Sequence, residues 1–145
     1  MKAIIFILFT FQTSTIIAQE SIRSQPDTLI IYQLPMFKHY FVGVCCSQLV
    51  KRNDVTIAKF SNRKKVQEAF AKFDNLSGLE IDTSFKKIDA RLVILFKNKN
   101  EILKEVCATR TGMIQIDNKI YRMNKEIRDF FIANKMMINI RSNVR

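Results

Sequence analysis

Hydrophobic and polar positions along the chain divide it into segments of two periods. Thr28-Leu29-Ile30-Ile31-Tyr32-Gln33-Leu34 is rich in β-branched and aromatic residues and stops at Pro35, so it predicts a strand. Phe41-Val42-Gly43-Val44-Cys45-Cys46 has the same character and predicts a second, with room to run to Val50. Lys51-Arg52-Asn53-Asp54 forms a polar turn, and residues 55–60 alternate as a further strand. Ser61 or Asn62 then caps a helix whose apolar positions Val66, Ala69, Phe70 and Phe73 recur at i, i+3, i+4 and i+7. Lys64, Lys65, Glu68 and Lys72 take the opposite face, and Gly78 is placed for a left-handed C-cap.

The second half is clearer. Arg91-Leu92-Val93-Ile94-Leu95-Phe96 is apolar at every position after the first, which predicts a central strand covered on both faces. Asn98-Lys99-Asn100 turns it into a strand over 101–109. Residues 113–116 and 119–122 flank Asp117-Asn118, a two-residue hairpin signal. Asn124 caps a last helix with Ile127, Phe130 and Phe131 as its apolar face. Residues 36–40 and 81–88 show no clear period. The order predicts an α+β fold, an antiparallel sheet with a C-terminal four-strand meander and two helices packed on it. The expected core includes Val66, Phe70, Phe73, Leu92, Ile94, Phe96, Ile127 and Phe130.

The N-terminus changes the picture of where this domain works. Lys2 precedes an apolar run over 3–11, followed by a polar patch, Ile16-Ile17 and the small residue Ala18. That is the layout of a secretory signal peptide cleaved after Ala18. The run is too short for a spanning helix, which needs about 20 apolar residues. The first Cys, Cys45, is too distant for lipid anchoring at the cleavage point. The expected organisation is a signal peptide at 1–18, a flexible lead-in at 19–27, one domain at 28–134 and a basic tail at 135–145. The expected location is the periplasm or the cell exterior, with no transmembrane span.

Charge then narrows the class of partner. The 145 residues carry 24 Lys+Arg and 13 Asp+Glu, a formal net charge of +11. Residues 19–50 are neutral, whereas 51–75 and 86–110 each hold seven basic and three acidic residues, and 119–145 hold seven and two. Such a field favours anionic partners and speeds encounter with them. Export removes nucleic acid from reach, leaving an acidic protein, an envelope polymer or lipid headgroups. The candidate contact residues are Arg63, Lys64, Lys65, Lys86 and Lys87.

Candidate chemistry is sparse. Three Gly and one His exclude a glycine-rich phosphate loop and a histidine-rich metal cluster, and no metal-ligand spacing, cofactor motif or serine elbow is present. Three Cys in an oxidising compartment allow one disulfide, Cys107 with Cys45 or Cys46, and one spare thiol. His39 could in principle serve Cys45 or Cys107 as a base, and Glu80 with Asp82 would share a strand face. These readings give an exported non-enzymatic binding protein as the leading class. An inhibitor or immunity-type protein and a small thiol or carboxylate enzyme are the alternatives.

The segments Asp27-Thr28-Leu29-Ile30-Ile31-Tyr32, Asp89-Ala90-Arg91-Leu92-Val93-Ile94 and Asp117-Asn118-Lys119-Ile120-Tyr121 are distributed across the domain. On these the chain resembles small uncharacterised exported α+β proteins of Gram-negative bacteria, a resemblance that implies the fold and export but no activity. Asp27-Thr28-Leu29 also fits a bacterial O-glycosylation pattern of Asp, Thr or Ser, then an apolar residue.

Overall fold

The apolar run near residue 91 becomes the middle of a six-stranded antiparallel sheet. The computed structural model describes residues 24–35 and 43–136. The leader expected at 1–18, residues 19–23 of the lead-in, His39 and the tail from 137 lie outside the described residues. In chain order the elements are β1 (Thr28–Gln33), α1 (Cys46–Leu49), β2 (Thr56–Phe60), α2 (Arg63–Asp74), β3 (Leu92–Asn98), β4 (Glu101–Ala108), β5 (Met113–Ile116), β6 (Lys119–Arg122) and α3 (Lys125–Ala133). The sheet order is β2-β1-β3-β4-β5-β6. The predicted meander is β3 to β6. β1 pairs with β3 as well as β2, so the two early strands join the same sheet and raise it to six strands.

Alternation along β3 explains its unbroken hydrophobicity. Leu92, Ile94 and Phe96 point to one face, where Val66, Ala69 and Phe73 of α2 and Ile127 and Phe131 of α3 cover them. Val93 and Leu95 point to the other, beneath Val44, Cys46, Leu49, Ile88 and Ala90. Phe73 is fully buried among Phe96, Phe130 and Phe131, with ring centroids 5.5–5.9 Å apart. Phe70 and Phe130, expected in the core, are only partly buried and pack against its margin. Met136, at the head of the expected basic tail, is buried, and its N–H donates to Phe131 O at 2.9 Å. Among the described residues no helix is long and apolar enough to cross a membrane.

Both long helices start at asparagine caps. Asn62 accepts from Lys65 N–H and Asn124 from Ile127 N–H, each satisfying a donor that the first turn cannot. Gly78 does not cap α2. The helix ends at Asp74 with Asn75 as C-cap, and Gly78 serves the following turn at φ 82°. Lys104 on β4 holds that end, donating to Phe73 O at 3.1 Å and Asp74 Oδ1 at 2.7 Å, where a cation also complements the helix dipole. Asp117 and Asn118 adopt φ 49° and 63°, the left-handed pair that a tight hairpin requires.

The second strand expected over 41–50 is not formed in its described part. Residues 43–45 are irregular and 46–49 form the single turn α1. Gln48 Oε1 accepts the Cys45 N–H at 3.3 Å, and Leu49 N–H closes on Cys45 O at 3.0 Å. This turn buries Cys46 and Leu49 against the second face of the sheet, a demand that outweighs the local β preference of the segment.

The two edges of the sheet are treated differently. Along β6, Ile81 bridges Tyr121, Asp82 N–H donates to Ile120 O at 2.9 Å, and Arg122 N–H donates to Glu80 O at 3.0 Å. Asp82 anchors this flank. Its carboxylate accepts the Ser84 hydroxyl and backbone N–H and pairs with Arg122 at 3.1 Å, and these hold it below the ordinary carboxylate range. A carboxyl depressed by folding stabilises above about pH 4, and that contribution is lost as pH falls through its folded pKa. Asp82→Asn is therefore expected to lower stability at neutral pH, with the gap to the parent closing in denaturation curves as pH falls below the ordinary carboxylate range. A gap that stays constant with pH would show that the carboxylate charge has no part in it. Along β2, by contrast, no backbone partner occupies the outer side among the described residues.

Candidate functional site: a basic corner at the open edge

The five basic residues singled out from sequence do not form one surface. Arg63, Lys64 and Lys65 begin α2, directly after β2, at the end of the sheet where Leu29 lies opposite Phe60 and Phe96. Lys86 and Lys87 precede β3 at the opposite end, near the Gln33–Leu92–Ala108 row. Seven residues of β3 separate the two ends, about 20 Å at the usual strand rise. The charges report the same division. Arg63 acts on Asp27 and Lys87 on Cys45.

The Arg63–Lys65 end is the stronger site. Lys59 lies on β2 four residues before Arg63, and all four cations are exposed. Among the described residues Lys59, Lys64 and Lys65 are in no ion pair, and the first turn of α2 holds no acidic residue. The Asp27 carboxylate accepts the Lys99 N–H at 3.1 Å, and this bond together with the Arg63 charge holds it ionised below the ordinary range. Beside these cations runs a cleft of about 400 Å³, with Leu29, Phe60, Val66, Ala69, Phe130 and Met136 as its apolar wall and Lys59, Asn62, Lys65 and Asn134 at its polar rim. Sequence reasoning missed Lys59 and the cleft. The alternation of 55–60 showed a strand, and only the sheet order shows that this strand is an edge.

At the other end a cleft of about 480 Å³ is lined by Phe85, Lys87, Ile88, Asp89, Arg91, Thr109, Arg110 and Met113. Its buried cation is committed to structure. Arg91 forks onto Asp89 Oδ2 at 3.0 and 2.6 Å, while Asp89 Oδ1 accepts the Val44 N–H at 2.9 Å and so fixes the approach to α1.

Cys46 of α1 and Cys107 of β4 form a disulfide across 61 residues, leaving Cys45 as a half-buried thiol. The Cys45 thiol meets Ser47 Oγ at 3.4 Å, and this contact, the Gln48 backbone and the Lys87 charge together lower its pKa. The Glu105 carboxylate lies 3.7 Å from Cys107 Sγ, and the donor atoms of Cys46, Glu105 and Cys107 fall within 4.8 Å of one another. With the two sulfurs bonded to each other, the carboxylate is the one donor this cluster offers. Glu80 and Asp82 flank the Ile81 bridge, and Asp82 is engaged by Ser84 and Arg122. Thr28 opens β1 opposite Lys97 and is half-buried.

Comparison with known protein families, curated proteins and solved structures returns no match, so the site is interpreted from its own geometry.

Proposed function

We propose that this is an exported, non-enzymatic binding protein that takes an anionic partner at the corner formed by Lys59, Arg63, Lys64 and Lys65. The observation that carries this is the set of four exposed cations beside an apolar cleft, of which Lys59, Lys64 and Lys65 enter no ion pair among the described residues. The helix dipole opposes cations in a first turn, so their placement there works against the helix itself and supports a use in binding. The disulfide supports export, because such bonds persist in oxidising compartments. Lys86 and Lys87 form a separate patch and are not expected to join the same contact.

The test is titration of the protein spanning 19–145 with polyglutamate and with heparin as soluble anionic probes. Binding is expected to weaken by about tenfold between low and physiological salt, where the screening length is about 8 Å. The Arg63→Glu, Lys64→Glu, Lys65→Glu variant should lose binding while keeping or raising the thermal midpoint, since acidic residues suit a helix N-terminus. Lys86→Glu with Lys87→Glu should leave the affinity within about twofold of the parent. Absence of binding to both probes at low salt would overturn the proposal.

A further inference from the structure

We infer that the outer edge of β2 accepts an extended acidic segment of a partner protein as a seventh strand. This rests on the anionic-partner proposal above and narrows it to one chemistry, a peptide backbone in β conformation carrying Asp or Glu.

Three observations converge on this edge. The sheet closes one edge and leaves the other open: residues 80–82 occupy the flank of β6, whereas among the described residues the outer side of Thr56–Phe60 has no backbone partner. An open edge presents a row of N–H and C=O groups that another strand can pair. The side chains of β2 are also uncovered. Ile57 is 59% exposed on one face and Phe60 43% exposed on the other, where the cleft beside Leu29 and Val66 lies. Alternate side chains of an added strand would cover both residues, because they too point to opposite faces.

Charge selects the occupant. Lys59 sits within the edge strand, and Arg63, Lys64 and Lys65 follow it immediately. A second copy pairing edge to edge would bring these cations towards their own images, the repulsion by which lysine on an edge strand discourages self-association. An acidic strand turns the same charges into attraction. The register gives the pattern it should carry. Ala58 and Phe60 face the helices and the cleft, and Ile57 and Lys59 face the other way. The fitting segment therefore alternates, with apolar residues towards the cleft and Asp or Glu against Lys59, whose face is opposite to the one that α2 covers, so that Arg63, Lys64 and Lys65 act on the segment only at longer range.

The test uses an acetylated eight-residue peptide of alternating valine and glutamate, read by fluorescence anisotropy with the protein spanning 19–145. Two derivatives carry backbone N-methyl groups, one on the valines and the other on the glutamates. In a paired strand the N–H groups of alternate residues point to the same side. One derivative is thus expected to lose at least about tenfold in affinity and the other to bind like the parent peptide. Lys59→Glu should weaken the glutamate peptide and improve an alternating valine–lysine peptide. Equal binding of both methylated peptides, with salt-dependent polyglutamate binding intact, would overturn strand addition and leave the anionic-partner proposal standing. Failure of every acidic probe at low salt would overturn both. Dimerisation of the protein alone through β2, abolished by Ile57→Lys, would give the edge to a second copy and also overturn the inference.

Discussion

Replacing Phe73 by alanine should destabilise the domain by about 3–5 kcal/mol in chemical denaturation. The ring is fully buried, and it touches Phe96 of the central strand and both Phe130 and Phe131 of α3. It is the residue through which α2, α3 and the sheet share one core. Truncation removes its apolar area from burial and leaves a void that three separately anchored elements cannot close together. Phe70, one turn earlier, is the control. It packs edge-on to Phe96 at 5.2 Å and lies beneath Lys104, but it is only partly buried, so Phe70→Ala should cost clearly less. Equal losses at the two positions would show that the core does not centre on Phe73.

Removing the disulfide should have an effect of similar size. The Cys46→Ala, Cys107→Ala double variant is expected to lose about 4 kcal/mol, the loop-entropy value for a closure of this length, with native disulfides commonly contributing about 2–5. The bond spans 61 residues and ties α1, a single turn with little helical stability of its own, to β4. Both cysteines must be replaced together, because a lone Cys46→Ala leaves Cys45 beside the site to pair wrongly with Cys107. The loss should fall on the second face of the sheet first. Amide exchange at Leu49 and Val93 is expected to accelerate before exchange at Ile94. Unchanged stability in the double variant would show that the packing of Val44, Leu49 and Ile88 alone holds that face closed.

The amino-acid sequence by itself determined the elements whose cause is local. The asparagine caps, the spacing of Val66, Ala69 and Phe73, the Asp117-Asn118 hairpin and the doubly buried β3 all follow from interactions within a few residues or from a single period. It also showed that 63–65 is basic and that Cys107 had two possible partners. Tertiary structure alone decided the rest, since each remaining feature depends on residues far apart in the chain. The segment at 46–49 became a helical turn because the second face of the sheet needed a cover, which its own β-favouring residues could not reveal. Cys46 rather than Cys45 reached Cys107 because that turn carries it inward. Lys86 and Lys87 parted from Arg63, Lys64 and Lys65 because the intervening chain delivers them to opposite ends of β3. Among the described residues β2 became an open edge because β1 places its other side against β3, and that position sets the Lys59 backbone beside the cleft where a partner strand would pair.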